Sequence, residues 1–98
     1  MSTKTITIRK TAHSLKVDLD WIVLNKKHDD RAKWKAVPHN LKFVVCFGKK
    51  SPFKHLHYGA LRPSSGPIRK TAAPGRYKYT IEVGDRVLDP GIIIRDIG

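Results

Sequence analysis

The chain has 98 residues, 40% of them hydrophobic, and carries 20 Lys and Arg against 8 Asp and Glu, a net charge of +12. That length suffices for one domain with a single modest core, and the composition lacks the long polar tracts of a disordered protein. The one cysteine, Cys46, excludes an intramolecular disulfide. No apolar run approaches the roughly 18 residues of a membrane span. We therefore predict one globular domain over 1–98, without a membrane partner.

Strands are predicted wherever apolar and polar residues alternate, because a period of two places one set inward and the other in water. Before residue 48 the predicted strands are Thr5–Arg9, Leu15–Val23, Ala32–Val37 and Leu41–Phe47. The start of the chain, Met1–Ile8, also alternates like a strand and does not resemble a signal peptide. This pattern favours a cytoplasmic protein.

A closing hairpin is predicted near the end of the chain. Gly75–Val83 alternates inward and outward residues, and Gly84 with Asp85 supplies turn chemistry. Val87–Arg95 then returns as a second strand, bent at the Asp-Pro-Gly sequence that ends at Gly91. The aromatic residues assigned to the core are Trp21, Trp34, Phe43, Tyr77 and Tyr79.

No helical stripe of period 3.6 interrupts these strands, so the pattern favours an all-β antiparallel sandwich or barrel. Residues 48–74 break the alternation: they contain four of the six prolines, with no sustained periodicity. We predict one long basic loop here, and long loops in compact domains are usually functional or disordered.

Three short motifs resemble those of the cupredoxins, the blue-copper proteins. Gly75–Ile81 is similar to their Gly-x-Tyr-x-Tyr-x-Cys strand, and Val37–Leu41 resembles the Phe-Pro-His-Asn-Val segment that supplies the first copper ligand. Asp30–Trp34 resembles the Gly-Asp-x-Val-x-Trp strand before it. The resemblance extends from about Leu15 onward and implies a cupredoxin-like Greek-key β-sandwich of about seven strands.

The same resemblance argues against a blue-copper centre. A type 1 site needs a thiolate, two imidazoles and usually a weak axial thioether. Ile81 stands where the resemblance requires the cysteine, no histidine follows it, and the only methionine is Met1. Of the four ligands only His39 remains, so no copper cofactor is expected.

Positive charge is concentrated in an acid-free stretch, because no Asp or Glu lies between Arg31 and Ile81. Its cations are Arg31, Lys33, Lys35, Lys42, Lys49, Lys50, Lys54, Arg62, Arg69, Lys70, Arg76 and Lys78. Without acidic neighbours in their own segment, they predict a positive face in any fold.

We expect a binding module rather than an enzyme, with nucleic acid as the first partner and an acidic protein surface as the second. The predicted anion-binding residues are Lys49, Lys50, Lys54, Arg62, Arg69 and Lys70, interleaved with Phe53, His55, His57 and Tyr58. Cations neutralise phosphates and planar rings stack on bases. Outward-facing Lys33, Lys35, Lys42, Arg76 and Lys78 are expected to extend the patch.

Two alternatives use the histidines. His55 and His57 point the same way in an extended segment and, with His39, could hold copper or zinc. The same pair beside Lys54 and Arg62 also supplies the acid, base and cation of a small ribonuclease.

Overall fold

The protein, described over residues 2–97 by a computed structural model, is all-β, with one short 3-10 turn at Lys26–His28 and no α-helix among those residues. The strands are β1 Thr3–Lys10, β2 Leu15–Val17, β3 Trp21–Asn25, β4 Arg31–Val37, β5 Val44–Cys46, β6 His57–Gly59, β7 Gly75–Lys78, β8 Thr80–Val83, β9 Arg86–Leu88 and β10 Gly91–Arg95. No helix in this part of the chain is long and apolar enough to cross a membrane. The all-β prediction is confirmed.

The strands form three hydrogen-bonded sheets. The first has the order β2-β1-β4, the second β3-β10-β7 and the third β6-β5-β8-β9. Two pairings, β1 with β4 and β3 with β10, are parallel. The prediction of about seven antiparallel strands therefore needs correction: the described chain has ten shorter strands and two parallel pairs. Alternation with period two is the same in both orientations, and each parallel partner is distant in sequence, so the local pattern could not reveal the direction.

The chain passes from the first sheet to the second between β2 and β3. The Asp18 backbone N–H donates to the Thr7 carbonyl at 3.1 Å, and the Asp18 carboxylate accepts from the Thr7 N–H at 2.8 Å. The bend resets the alternation, so that Ile22 and Leu24 are buried while Trp21 is 40% exposed. The prediction of one continuous strand with Trp21 in the core is wrong for this reason.

The closing hairpin is confirmed, and it joins two sheets. β7 pairs with β10 in the second sheet, whereas β8 pairs with β9 in the third. The strand changes sheets at Tyr79, whose N–H donates to the Pro90 carbonyl at 3.1 Å. At the tip Val83 faces Arg86, and Gly84 has φ +61°, a conformation suited to a two-residue turn.

An aromatic cluster occupies the centre of one contiguous core. Trp34 stacks on Tyr58 with ring centroids 5.3 Å apart, and Phe47 lies 5.0 Å from Tyr79. The Trp34 Nε1–H donates to the Tyr79 hydroxyl at 3.2 Å, and burial raises the pKa of Tyr79 to about 12. The predicted core aromatics Trp34, Phe43, Tyr77 and Tyr79 are all buried.

Residues 48–74 contain more structure than the predicted loop. β6 pairs with β5, and residues 63–65 run along the edge of β4. There the Trp34 N–H donates to the Pro63 carbonyl at 2.8 Å, and the Ser65 N–H donates to the Ala32 carbonyl at 2.9 Å. A three-residue strand is too short to show a period in sequence, so the sequence does not predict β6.

Candidate nucleic-acid interface

The six predicted anion-binding cations are all exposed, and all belong to residues 48–74, hereafter the basic segment. They are Lys49, Lys50, Lys54, Arg62, Arg69 and Lys70. The segment crosses from the end of β5, through β6, to the start of β7. The six cations therefore lie along the connection between the third and second sheets.

Buried side chains fix the basic segment to the core. Phe53, Tyr58 and Ile68 are 1%, 3% and 8% exposed. The Tyr58 hydroxyl accepts from the His55 N–H at 3.1 Å and donates to the Ser65 carbonyl at 3.1 Å. This hydroxyl joins the backbone before β6 to the backbone after it. The backbone near Lys54 and Arg62 is therefore ordered without a ligand.

A second set of hydrogen bonds holds the end of the segment, and it uses part of the predicted site. The Arg69 N–H donates to the Pro52 carbonyl at 2.8 Å, and the Arg69 guanidinium donates to the Ser51 carbonyl. Lys26 donates through Nζ to the Lys70 carbonyl at 2.5 Å. Arg69 therefore has a structural role, while the Lys70 ammonium stays exposed.

The exposed cations of the segment have no carboxylate partners within residues 2–97. The two ion pairs of this part of the chain join Arg31 to Asp29 at 3.0 Å and Lys78 to Asp89 at 3.4 Å. Lys50 instead lies over the Tyr77 ring, with its Nζ 5.3 Å from the centroid. Of the twelve cations in the acid-free stretch, Arg31 and Lys78 are therefore paired, whereas the charge of the basic segment is not neutralised by an ion pair within residues 2–97.

His55 lies near two cations of the basic segment, Arg62 and Lys54. Desolvation lowers the pKa of His55, and the nearby positive charges of Arg62 and Lys54 lower it further. These three side chains, which come from both sides of β6, thus share one field. A phosphate group placed there would be attracted by Lys54 and Arg62 and would favour the protonated form of His55.

The predicted aromatic stacking surface does not form on the basic segment. Phe53 and Tyr58 are buried in the core, because their segment folds back onto the Trp34 cluster. Of the eight aromatic side chains only Trp21 is exposed to a substantial degree. It lies on the second sheet, with Lys78 Nζ 5.2 Å and Arg76 Cζ 5.8 Å from its ring centroid.

The residues expected to extend the patch are exposed but divided among different elements. They are Lys33, Lys35, Lys42, Arg76 and Lys78. Lys33 and Lys35 lie on β4 of the first sheet, and Arg76 and Lys78 lie on β7 of the second. Since Lys78 also pairs with Asp89, the five do not add one uniform sheet face to the basic segment.

The three histidines of the alternative metal site are not brought together. His39 is exposed after β4, whereas His57 lies on β6 with its Nε2 3.4 Å from the Cys46 Sγ across the β5–β6 pair. Among residues 2–97, no group of three or more His, Cys, Asp or Glu side chains is placed to hold a metal ion.

The two imidazoles of the alternative ribonuclease site have different surroundings. His55 packs its ring edge-on against buried Tyr58, with the centroids 5.9 Å apart, and the chain bends at Leu56. His57 contacts Cys46 on the adjacent strand. The bend removes the extended geometry from which a shared orientation of His55 and His57 was predicted.

At the two ligand positions of the blue-copper resemblance, Ile81 is completely buried on β8 and His39 is exposed after β4. Cys46, the one cysteine, lies beside His57 on the neighbouring strand. Comparison of the chain with models of protein families, with curated proteins and with solved structures finds no match.

Proposed function

We propose that this chain is a binding module for nucleic acid, which uses the basic segment to neutralise backbone phosphates. The observation that carries the proposal is a set of exposed cations without carboxylate partners in the described chain, held on a segment that the core anchors. Lys49, Lys50, Lys54, Arg62 and Lys70 form this set. Each phosphate that such a residue neutralises releases a counterion, which favours binding at low salt.

The mode of binding follows from which side chains are exposed. Sequence readout in nucleic acids relies on side chains that reach base edges or stack on bases. The aromatic rings of the basic segment are buried and offer no stacking surface, and four of the five proposed cations are lysines, which contact phosphates as point charges. We therefore expect little preference among base sequences and a steep dependence of affinity on salt.

The scaffold proposed for this activity is a cupredoxin-like Greek-key β-sandwich without type 1 copper. Three motifs support it, together with the change of sheets within the closing hairpin. A buried isoleucine at position 81 is consistent with a sandwich whose core occupies the place of the ligand cysteine. The proposed chemistry is thus electrostatic and requires no cofactor.

The experiment measures binding of labelled single-stranded DNA, duplex DNA and RNA by fluorescence anisotropy across a salt series. Replacing Lys49, Lys50 and Lys54 by Ala is expected to weaken binding and to reduce the slope of log affinity against log salt. If all three contact duplex phosphates, the slope falls by roughly 2 to 3.

The matched control replaces Lys4, Lys10 and Lys16, three exposed lysines of β1 and β2, by Ala. It removes the same charge from the first sheet and should change the slope much less. Equal losses in the two triple variants would show that net charge alone drives binding, and the basic segment would lose its assignment. Thermal melting of both variants checks that they remain folded.

A further inference from the structure

An apolar groove opens beside β5 and β6, and its lining includes Arg62 and other residues of the basic segment. Its volume is about 570 Å³, within the usual range for ligand sites. Val44, Ala60 and Leu61 contribute aliphatic surface to the groove. His57 and Gly59 of β6 also line it. Val44 is 44% exposed and Leu61 completely exposed, so the groove displays apolar area that the fold itself does not cover.

The groove is presented by a fixed turn. The Gly59 N–H donates to the Arg62 carbonyl at 3.1 Å, and the Arg62 N–H donates to the Gly59 carbonyl at 3.0 Å. These two bonds close the turn that carries Leu61. Since the backbone of the turn is already ordered, a partner that covers Leu61 does not have to order this loop first.

Charge on the groove is of one sign. Lys42 and Arg62 belong to its lining, which contains no carboxylate. Neither cation takes part in the ion pairs found within residues 2–97. Glu82 on β8 pairs directly with Val44 from the side opposite β6, so a carboxylate borders the groove there without belonging to its lining. The lining itself favours an occupant that combines apolar groups with negative charge.

We propose that this groove binds an acidic segment of a partner protein, whose aliphatic side chains cover Val44 and Leu61 and whose carboxylates meet Lys42 and Arg62. The lining favours such a segment over nucleic acid, because its exposed apolar groups are aliphatic and its aromatic residues, Phe43 and Tyr58, are buried. A second copy of this chain carries a net charge of +12 and is disfavoured by repulsion.

The test uses three short fluorescein-labelled peptides at about 0.15 M salt, an ionic strength that screens exposed charges beyond about 8 Å. One alternates glutamate with leucine, the second has serine in place of leucine, and the third has lysine in place of glutamate. Binding of the first alone is expected. Equal binding of the serine peptide would overturn the proposal, because charge would then suffice without the groove.

Variants locate the contact. Val44→Thr with Leu61→Ser, and separately Lys42→Ala with Arg62→Ala, are each expected to weaken binding of the glutamate–leucine peptide by about tenfold or more. Val87→Thr makes the same change at another exposed valine of the third sheet, outside the groove, and should leave affinity unchanged. Unchanged affinity in the Val44/Leu61 variant would also overturn the proposal.

The peptide proposal and the nucleic-acid proposal are tested by different variants, so one can be wrong while the other holds. The Val44/Leu61 variant should keep its affinity for DNA and RNA, and the variant with Ala at positions 49, 50 and 54 should keep most of its affinity for the peptide. Sedimentation of the unlabelled chain at the assay concentration tests the remaining occupant: self-association lost in the Val44/Leu61 variant would assign the groove to a second copy and overturn the peptide proposal.

Discussion

His55 lies in the field of two cations, and this makes its protonation a sensor of the basic segment. Arg62 and Lys54 lower its pKa in addition to desolvation. Replacing Arg62 by Ala should therefore raise the pKa of His55, because one of the charges that oppose the imidazolium is removed. NMR titration of the His55 ring measures this directly, with Lys16→Ala as a distant control. An unchanged pKa would show that Arg62 does not act on His55.

A bound phosphate should raise the pKa of His55, because its negative charge stabilises the imidazolium. Bound nucleic acid favours the imidazolium and so raises the pKa of His55, and by linkage the affinity rises as the pH falls toward the lowered pKa of His55 in the free protein. Stability has the reverse trend: a lowered folded pKa means that the contribution of neutral His55 is fully present above pH 6.5 and is lost as the pH falls toward the lowered value. His55→Gln should reduce both dependences.

Single residues also show where sequence reasoning reached its limit. The prediction that Trp34 and Tyr79 lie in the core is correct, because burial alternates without interruption around both residues, even though Tyr79 falls between β7 and β8. The prediction that Trp21 lies in the core is wrong, because the bend before β3 reverses the alternation. The prediction of a stacking surface at Phe53 and Tyr58 is wrong, since nothing in a segment without periodicity distinguishes a buried ring from an exposed one.

At the scale of elements, β3 and β10 depend on a close contact between Trp21 and Gly91. The two residues pair directly, and a Cβ at position 91 would lie 2.3 Å from the Trp21 ring. Gly91→Ala should therefore displace the indole toward solvent and destabilise the fold by about 1 kcal/mol, the low end of the range for overpacking, because the ring that must move is already 40% exposed. Urea unfolding measures the loss, and acrylamide quenching reports the greater exposure of Trp21.

The control for this prediction is Gly91→Ala in a Trp21→Ala background. With the ring gone the clash is absent, and Ala is favoured over Gly in a strand by roughly 0.5–1 kcal/mol. The substitution should then be neutral or stabilising, so its effect changes sign between the two backgrounds. Equal destabilisation in both would mean that another contact, not the indole, limits the size of residue 91.

Elements were predicted well where the partner strand is adjacent in sequence. The closing hairpin followed from its alternation and from Gly84, whose turn joins strands that pair with each other. Parallel pairing of β1 with β4 brings together strands separated by more than one intervening element, and no local pattern specifies that choice. The basic cations can be identified directly in the sequence. The groove at Leu61 cannot, because it depends on the turn after β6, which the sequence does not predict.

For the whole molecule, a net charge of +12 on 98 residues implies self-repulsion in the folded state. Screening should relieve it, so Tm is expected to rise between low salt and about 0.3 M NaCl. Each kcal/mol of relieved repulsion raises Tm by about 4–8 °C for a domain of this size. Differential scanning calorimetry across the salt series measures the effect, and a Tm independent of salt would contradict it.

Charge reversal tells whether the repulsion is concentrated in the basic segment. Lys49→Glu with Lys54→Glu changes the charge by two units at each position, and so lowers the net charge from +12 to +8. Lys4→Glu with Lys10→Glu makes the same change on β1. If the acid-free stretch dominates the field, the first pair raises the low-salt Tm and flattens its salt dependence more than the second. Equal effects would mean that the charge acts as a whole, and the basic segment would then have no greater attraction for a polyanion than the rest of the surface.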